Sequence, residues 1–306
     1  MISLDFNENT TKAGMPSDLL VTGMVSHSRF PIYQAYSKEQ NKYFAIKFFP
    51  SDEESPSKNF TNEMKVQDLR HPNIVQVVHA EPKQKVLQEG ETSMNSCLFM
   101  EFVPFPDFST LAKDIEFGAD PKLSRTYFGQ IMSALQYLHS KGFAHMDIKP
   151  ENMILTQDFK LKLIDFEFLM NEKETETLDM GTPHYRAPEV KERKIKCPKA
   201  ADVYSAGITL FALHCGVMPY LEDTKFDEFD MEQLLHEDTK TFWAIHREIV
   251  PENVEITDNF KKLFEAMTNK DPSKRLSADE VMESDYMKEG LYSDEELEKL
   301  MHDFFF

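Results

Sequence analysis

The chain has 306 residues, about twice the ~150 residues of an ordinary domain, so one large domain or two lobes both fit. Hydrophobic residues make up 41%, charged residues 28% and aromatic residues 12%; that balance describes a water-soluble chain able to bury a large core and excludes disorder throughout. With 34 Lys and Arg against 53 Asp and Glu the net charge is −19, which repels phosphate backbones and anionic membranes and argues against general nucleic-acid or membrane partners.

A single nucleotide stays open, because it needs a local site. In chain order, the first 17 residues carry no basic segment followed by an apolar run, so no secretory signal is expected and they read as an extension. From residue 19 to 103, short β-type runs (PIYQAY, YFAIKFF, IVQVVHA, SCLFMEFV) alternate with polar turns, and one helix is expected over residues 60–69. This is the pattern of a small sheet with one helix. From Leu123 onward helical segments take over; LSRTYFGQIMSALQYLHSKG is the clearest, with Gly142 as its stop signal. The longest apolar stretch, residues 206–221, is broken by His214 and Gly216 and falls short of the roughly 20 residues of a membrane span. Two acidic stretches, residues 51–57 and 221–238, read as solvated insertions. Three scattered cysteines, Cys97, Cys197 and Cys215, make no disulfide framework and favour a reducing compartment, the cytoplasm or nucleus.

The strongest motif is His145-Met146-Asp147-Ile148-Lys149-Pro150-Glu151-Asn152. After the strand-like run LKLI comes Asp165-Phe166-Glu167, and later Ala187-Pro188-Glu189. In this order and spacing the motifs resemble the eukaryotic protein kinase family, specifically its serine/threonine branch, over about residues 20–287. The resemblance implies an α+β, bilobal protein-kinase fold. Residues 18–103 would form an N-lobe with a small antiparallel sheet and one main helix, residues 104–288 a larger, mostly helical C-lobe, and residues 289–306 an amphipathic helical tail. The segments HMDIKPEN and RHPNIV resemble calcium/calmodulin-type kinases generally, but no EF-hand loop or basic calmodulin-target helix accompanies them, so calcium control is not expected.

Phosphoryl transfer needs metal to neutralise phosphates and a carboxylate to orient the acceptor hydroxyl and take its proton. Asp147 matches that carboxylate, and Lys149 matches a cation beside the transferred phosphate, which is the family's serine/threonine pattern. Asn152 and Asp165 offer the hard oxygens that Mg²⁺ (or Mn²⁺) prefers and match the metal ligands. Lys47, in Ala45-Ile46-Lys47, matches the lysine on the phosphates of ATP; pointing inward, it requires an anionic partner. Counting back nine residues from His71 reaches Asn62, with Glu63 one position later. Glu63 is favoured, because a neutral amide would leave Lys47 without a counter-charge. Met100-Glu101-Phe102-Val103 matches the hinge whose backbone would hold adenine, with Met100 as gatekeeper, and Ile32, Ala45 and Ile154 match the apolar residues around the adenine ring. Asp202 matches the aspartate that caps the catalytic loop and Arg275 the arginine that pairs with Glu189. The implied partner is a protein substrate with a Ser or Thr acceptor, and the net charge together with Glu151 favours basic residues around it.

Three positions depart from the family. The phosphate-covering G-x-G-x-x-G is absent: with Ile32 as the last position, Val25, His27 and Phe30 stand where its glycines would be, and Pro31 removes an amide donor. The loop should be stiffer and ATP use slower, with His27 and Arg29 either replacing donors or serving as ordinary turn residues. Glu167 replaces the glycine after Asp165-Phe166; it could bind metal, repel nucleotide or restrict the backbone, and restriction is favoured. Met146 stands where many kinases carry arginine, which disfavours switching by phosphate at Thr175 or Thr177, while Glu172, Glu174 and Glu176 either set that segment or are solvated. Two functions therefore stand side by side: a serine/threonine kinase in which every residue with a direct role in transfer is present, and a pseudokinase acting as a nucleotide-binding or empty scaffold. The closing segment SDEELEKLMHDFFF should form a helix with a Ser293/Glu296 capping box and an apolar face of Leu297, Leu300, Met301 and Phe304. Its short reach favours docking on its own C-lobe or on a neighbouring molecule.

Overall fold

The computed structural model describes residues 2–5, 16, 18–26, 29–50, 56–88, 91–111, 120–174, 180–220 and 230–306. His27, Thr175, Glu176, Thr177 and most of the two acidic stretches lie outside the described residues. Packing divides the chain into two compact units, residues 1–104 with 165–167 and residues 105–164 with 168–306.

The first unit is a six-stranded antiparallel sheet with one helix. Its elements are β1 (Ile2–Asp5), β2 (Leu20–Ser26), β3 (Ile32–Ser37), β4 (Lys42–Pro50), α1 (Lys58–Met64), β5 (Val77–Gln88) and β6 (Glu91–Glu101). The strand order is β1-β5-β6-β4-β3-β2, so four residues of the N-terminal extension add an outer strand. Directly opposed residues share a face. Ile32 pairs with Lys47 and Lys47 with Leu98; one rung along, Gln34 pairs with Ala45 and Ala45 with Met100. Ile32, Ala45, Lys47 and Met100 therefore line one face, while Tyr33, Ala35, Ile46, Phe48, Cys97 and Phe99 form a packed core on the other. Helix α1 is capped by the Ser57 hydroxyl, which accepts from Phe60 N–H, and it ends at Met64, shorter than the 60–69 expected. Beyond it the chain tightens into three-residue turns (Val66 N–H to Glu63 O, Leu69 N–H to Val66 O) that still bury Val66 and Leu69.

The second unit contains α2 (Phe108–Leu111), α3 (Pro121–Ser140), β7 (Phe143–Ala144), β8 (Met153–Leu155), β9 (Leu161–Leu163), β10 (Met170–Asn171), α4 (Pro188–Lys191), α5 (Pro198–Cys215), α6 (Met231–Glu237), α7 (Thr239–Ile249), α8 (Asp258–Met267), α9 (Ala278–Met282), α10 (Asp285–Lys288) and α11 (Asp294–Phe305). β7 pairs with β10 and β8 with β9. Helix α3 starts on the Asp120 side-chain cap, and Gly142, at φ 79°, turns the chain out of it. Helix α5 is buried on nearly every face, which accounts for the apolar run at 206–215. Among the described residues no helix is long and apolar enough to cross a membrane.

Helix α11 carries the Ser293/Glu296 capping box. Its inner stripe is the buried Leu297 and Met301 and then the half-buried Phe305, whose ring stacks on Phe159 at 5.7 Å and lies 5.9 Å from Phe105. Leu300 and Phe304, expected on the buried face, are 36% and 48% exposed. The i, i+4, i+8 row wins because Phe159, held at φ 56°, offers its ring to position 305. Tyr292 adds hydrogen bonds to Asp120 (2.8 Å) and from its own N–H to Thr126 (2.9 Å). Removing residues 294–306 is expected to lower the Tm by several degrees without changing the mass in solution; calorimetry and light scattering check this.

Three histidines in the second unit, the buried His214 and His246 and the half-buried His236, are pushed towards the neutral form by loss of solvation. His236 falls to about 4, through burial first and then the Lys270, Arg275 and Lys191 cations. A folded-state value below the unfolded ~6.5 means that the stability it contributes is complete above that pH and is lost as pH falls towards 4. The Tm should drop between pH 6.5 and 4.5, and His236→Gln should make the drop shallower.

Candidate active site

In the first unit, Lys47 is 4% exposed and Glu63 1%. The Lys47 ammonium donates to Glu63 Oε1 at 2.5 Å and to Asp165 Oδ1 at 2.8 Å. Burial alone would lower this ammonium, but the two carboxylates outweigh it and hold the group above the ordinary lysine range. Burial raises the Glu63 carboxyl, and the Lys47 ammonium beside it pulls the group back down. The Phe30 and Phe49 rings wall the site, with Lys47 Nζ 5.7 and 5.3 Å from their centroids. Asn62 does not contact Lys47's charge; its amide donates to the Glu167 carbonyl at 2.9 Å. Met100 is buried and Ile32, Ala45, Glu101 and Val103 are half-buried. The Glu101 carboxylate accepts from the Gln76 N–H at 2.7 Å, which fixes the end of β6. Where glycines would cover phosphate, Val25 is 53% exposed and Phe30 is folded inward, 4.8 Å from Phe49. Arg29 lies over the Phe30 ring at 5.1 Å.

In the second unit, the loop between β7 and β8 is suspended from α5. The Asp202 carboxylate, 1% exposed, accepts the His145 and Met146 N–H groups at 2.8 and 2.7 Å and faces His139 Nε2 at 2.9 Å. This grip holds Met146 at φ 69°. Asp147 follows, 5% exposed. Its Oδ1 accepts the Thr182 N–H and hydroxyl at 2.7 and 2.8 Å; its Oδ2 accepts the Asn152 amide at 2.8 Å and pairs with Lys149 Nζ at 3.0 Å. Lys149 also donates to the Thr182 hydroxyl at 2.5 Å. With the Asn152 NH₂ given to Asp147, its amide oxygen is the atom left to meet a cation. Ile154 is half-buried on β8. Gly181, at φ 73°, passes so close to the loop that a Cβ there would meet Met146 O at 2.5 Å. Arg275 pairs in two-pronged fashion with Glu189 at 2.5 and 2.7 Å, so both structural pairings implied by the resemblance are present.

Thr182 is the site residue that sequence reasoning missed. Its signal is weak: Gly181-Thr182-Pro183 is a common tripeptide, and the partner lies 35 residues away. Glu172, from the run of three glutamates, pairs with Lys199 of α5, while its N–H donates to Gly142 O at 2.9 Å.

The second-unit arrangement predicts the cost of losing its anchor. Asp202→Ala leaves two buried N–H groups without an acceptor and should lower stability by about 3 kcal/mol in urea unfolding.

The Protein kinase domain family matches residues 29–287. Maternal embryonic leucine zipper kinases of Danio rerio and Xenopus laevis are 29% and 32% identical over 231 residues, 74% of this chain. CBL-interacting serine/threonine-protein kinase 20 of Arabidopsis thaliana is 30% identical over 229 residues, 72% of this chain. The matched segments amount to 30%, 32% and 46% of those proteins, so the likeness spans less than half of each relative's length. The family match runs through the motifs of both units, and the chain belongs to the protein kinase domain family.

Proposed function

We propose that the chain is an ATP-dependent protein serine/threonine kinase domain with Asp147 as the residue that orients and deprotonates the acceptor hydroxyl. The observation that carries this reading is the state of the Asp147 carboxylate, buried and fixed by Thr182, Asn152 and Lys149 within 3.0 Å. Both oxygens are held in place before any substrate arrives, which is the pre-organisation that transfer exploits. Lys149 would neutralise charge that grows on the transferred phosphoryl group, and Lys47 would hold the phosphates, with Glu63 keeping it in position. The carboxylate oxygen of Asp165 and the amide oxygen of Asn152 are each hard ligands of the kind Mg²⁺ prefers. A bound Mg²⁺ would neutralise phosphate charge. In the first unit Ile32, Ala45 and Met100, on one face of the sheet, would take the adenine, with Glu101 and Val103 offering backbone groups.

Activity would not depend on phosphate added to the segment after Asn171, since Met146 supplies no cation there and Glu172 already pairs with Lys199. Serine or threonine with basic flanks would be the preferred acceptor, given Glu151, exposed beside the catalytic loop. Helix α11 would act in cis as a brace for α3. Free Cys97, Cys197 and Cys215 suit a reducing compartment, cytoplasmic or nuclear. The pseudokinase reading draws on Phe30, whose inward ring and neighbouring Pro31 leave little backbone for phosphate.

Radiolabelled transfer to a basic protein tests the two against each other. Wild-type protein should transfer phosphate before and after phosphatase treatment, and Asp147→Asn should lower kcat by about 100-fold or more. A wild-type rate equal to that of Asp147→Asn would favour the scaffold. Asp165→Asn should weaken the Mg²⁺-dependent thermal shift given by ATP, leaving the metal-free shift in place.

A further inference from the structure

We propose that Glu167 is a positioning residue: with Asn59 and Asn62 it latches residues 165–167 to α1 and so keeps Asp165 against Lys47. The role of Asp165 rests on the kinase reading above; the latch itself does not.

The family pattern has glycine at position 167, so this side chain needs a reason. Its Oε2 accepts from the Asn59 amide at 3.0 Å, and its backbone carbonyl accepts from the Asn62 amide at 2.9 Å. Asn59 and Asn62 are three apart and share a face of α1. The next residue, Glu63, is the one that meets Lys47. One turn of helix thus grips residue 167 twice and Lys47 once, and Lys47 in turn holds Asp165. Asp165 lies at φ 63°, a conformation that a non-glycine residue keeps when its neighbours over-determine it. The latch supplies that constraint two residues along the chain. It also explains Asn62, which fills the position where an ungapped match would put the lysine's partner: its amide is spent on the Glu167 carbonyl.

Charge is not what the latch needs. The Glu167 carboxylate adds to the forces that raise the neighbouring Glu63 carboxyl, after burial, so its negative charge works against the ion pair while its oxygen secures the segment. A glutamine would keep an acceptor for Asn59 without that opposition, which separates a hydrogen-bonding role from metal binding or nucleotide repulsion.

Hydrogen exchange of the full chain, read over residues 58–64 and 165–167, tests this for wild type, Glu167→Ala, Glu167→Gln, Asn59→Ala and the Asn59→Ala/Glu167→Ala double variant. Losing one such bond should speed exchange in both segments about tenfold. The double variant should exchange no faster than either single one, and Glu167→Gln should match wild type. In the transfer assay, Glu167→Ala should raise the KM for ATP more than it lowers kcat, with Glu167→Gln restoring both. Wild-type exchange in Glu167→Ala, additive effects in the double variant, or a glutamine variant that behaves like alanine would each overturn the latch. If the wild-type protein transfers no phosphate, the kinase reading fails while exchange still decides the latch.

Discussion

A lysine ammonium at 4% exposure is the constraint on which the small unit depends. Buried without counter-charge, it would deprotonate or pull the sheet apart. Two carboxylates from distant parts of the sequence, Glu63 and Asp165, keep it charged, and the Phe30 and Phe49 rings keep water away. The short helix must present Glu63 at one height above β4, and the Asp-Phe-Glu segment must stay where Asp165 reaches the same nitrogen. The edge-to-face packing of Phe49 on Phe60, centroids 5.6 Å apart, ties the helix to the strand that carries Lys47. Position along α1 is thus set by packing on one side and by charge on the other.

The large unit solves a related problem with different means. Its central carboxylate, Asp147, is held by hydroxyl, amide and ammonium donors, and the loop that carries it hangs from Asp202 of a helix buried on nearly every face. Such a helix cannot rotate or slide without disturbing the rings of Phe242, Trp243 and Phe264 around Phe211. Rigidity in the aromatic core is therefore transmitted to the loop through a single aspartate. This is why an apolar run with no chemistry of its own contributes to the geometry of the site.

Much of this was legible in the sequence where the information is local. The octapeptide around Asp147, the Asp-Phe-Glu triplet and the alternation around Lys47 each fit within a few residues, and the tail announced its capping box at Ser293. What resisted reading was set by distant partners. The sequence predicts a helix as far as Leu69 because Val66 and Leu69 fall at helical spacing, yet turns of three residues bury them equally well. The outward half of the β5–β6 hairpin, EPKQKVLQ, reads as polar turn, since Gln84 shares its buried face with Val86 while Lys83, Lys85 and Leu87 face water, and a polar residue on the inner row hides the apolar alternation. Phe305 replaced Phe304 on the tail's inner row because of a ring at position 159, which no helical count can see. Thr182 and the Asn59–Glu167 contact join residues 35 and 108 positions apart, and single residues at such separations leave no pattern.

Residues 165–167 belong by packing to the first unit but are flanked in sequence by the second. Synthesis runs from the N-terminus, and folding of early segments begins before later ones exist. The strands of the sheet are complete once Glu101 has been made, but Lys47 then has one of its two counter-charges, and the amides of Asn59 and Asn62 have none of their carbonyl or carboxylate acceptors at position 167. The nascent small unit must therefore wait, with Lys47, Asn59 and Asn62 short of these acceptors, until residues 165–167 have been translated. Its final ordering is an event of late synthesis, coupled to the growth of the other unit, even though nearly all of its residues come first.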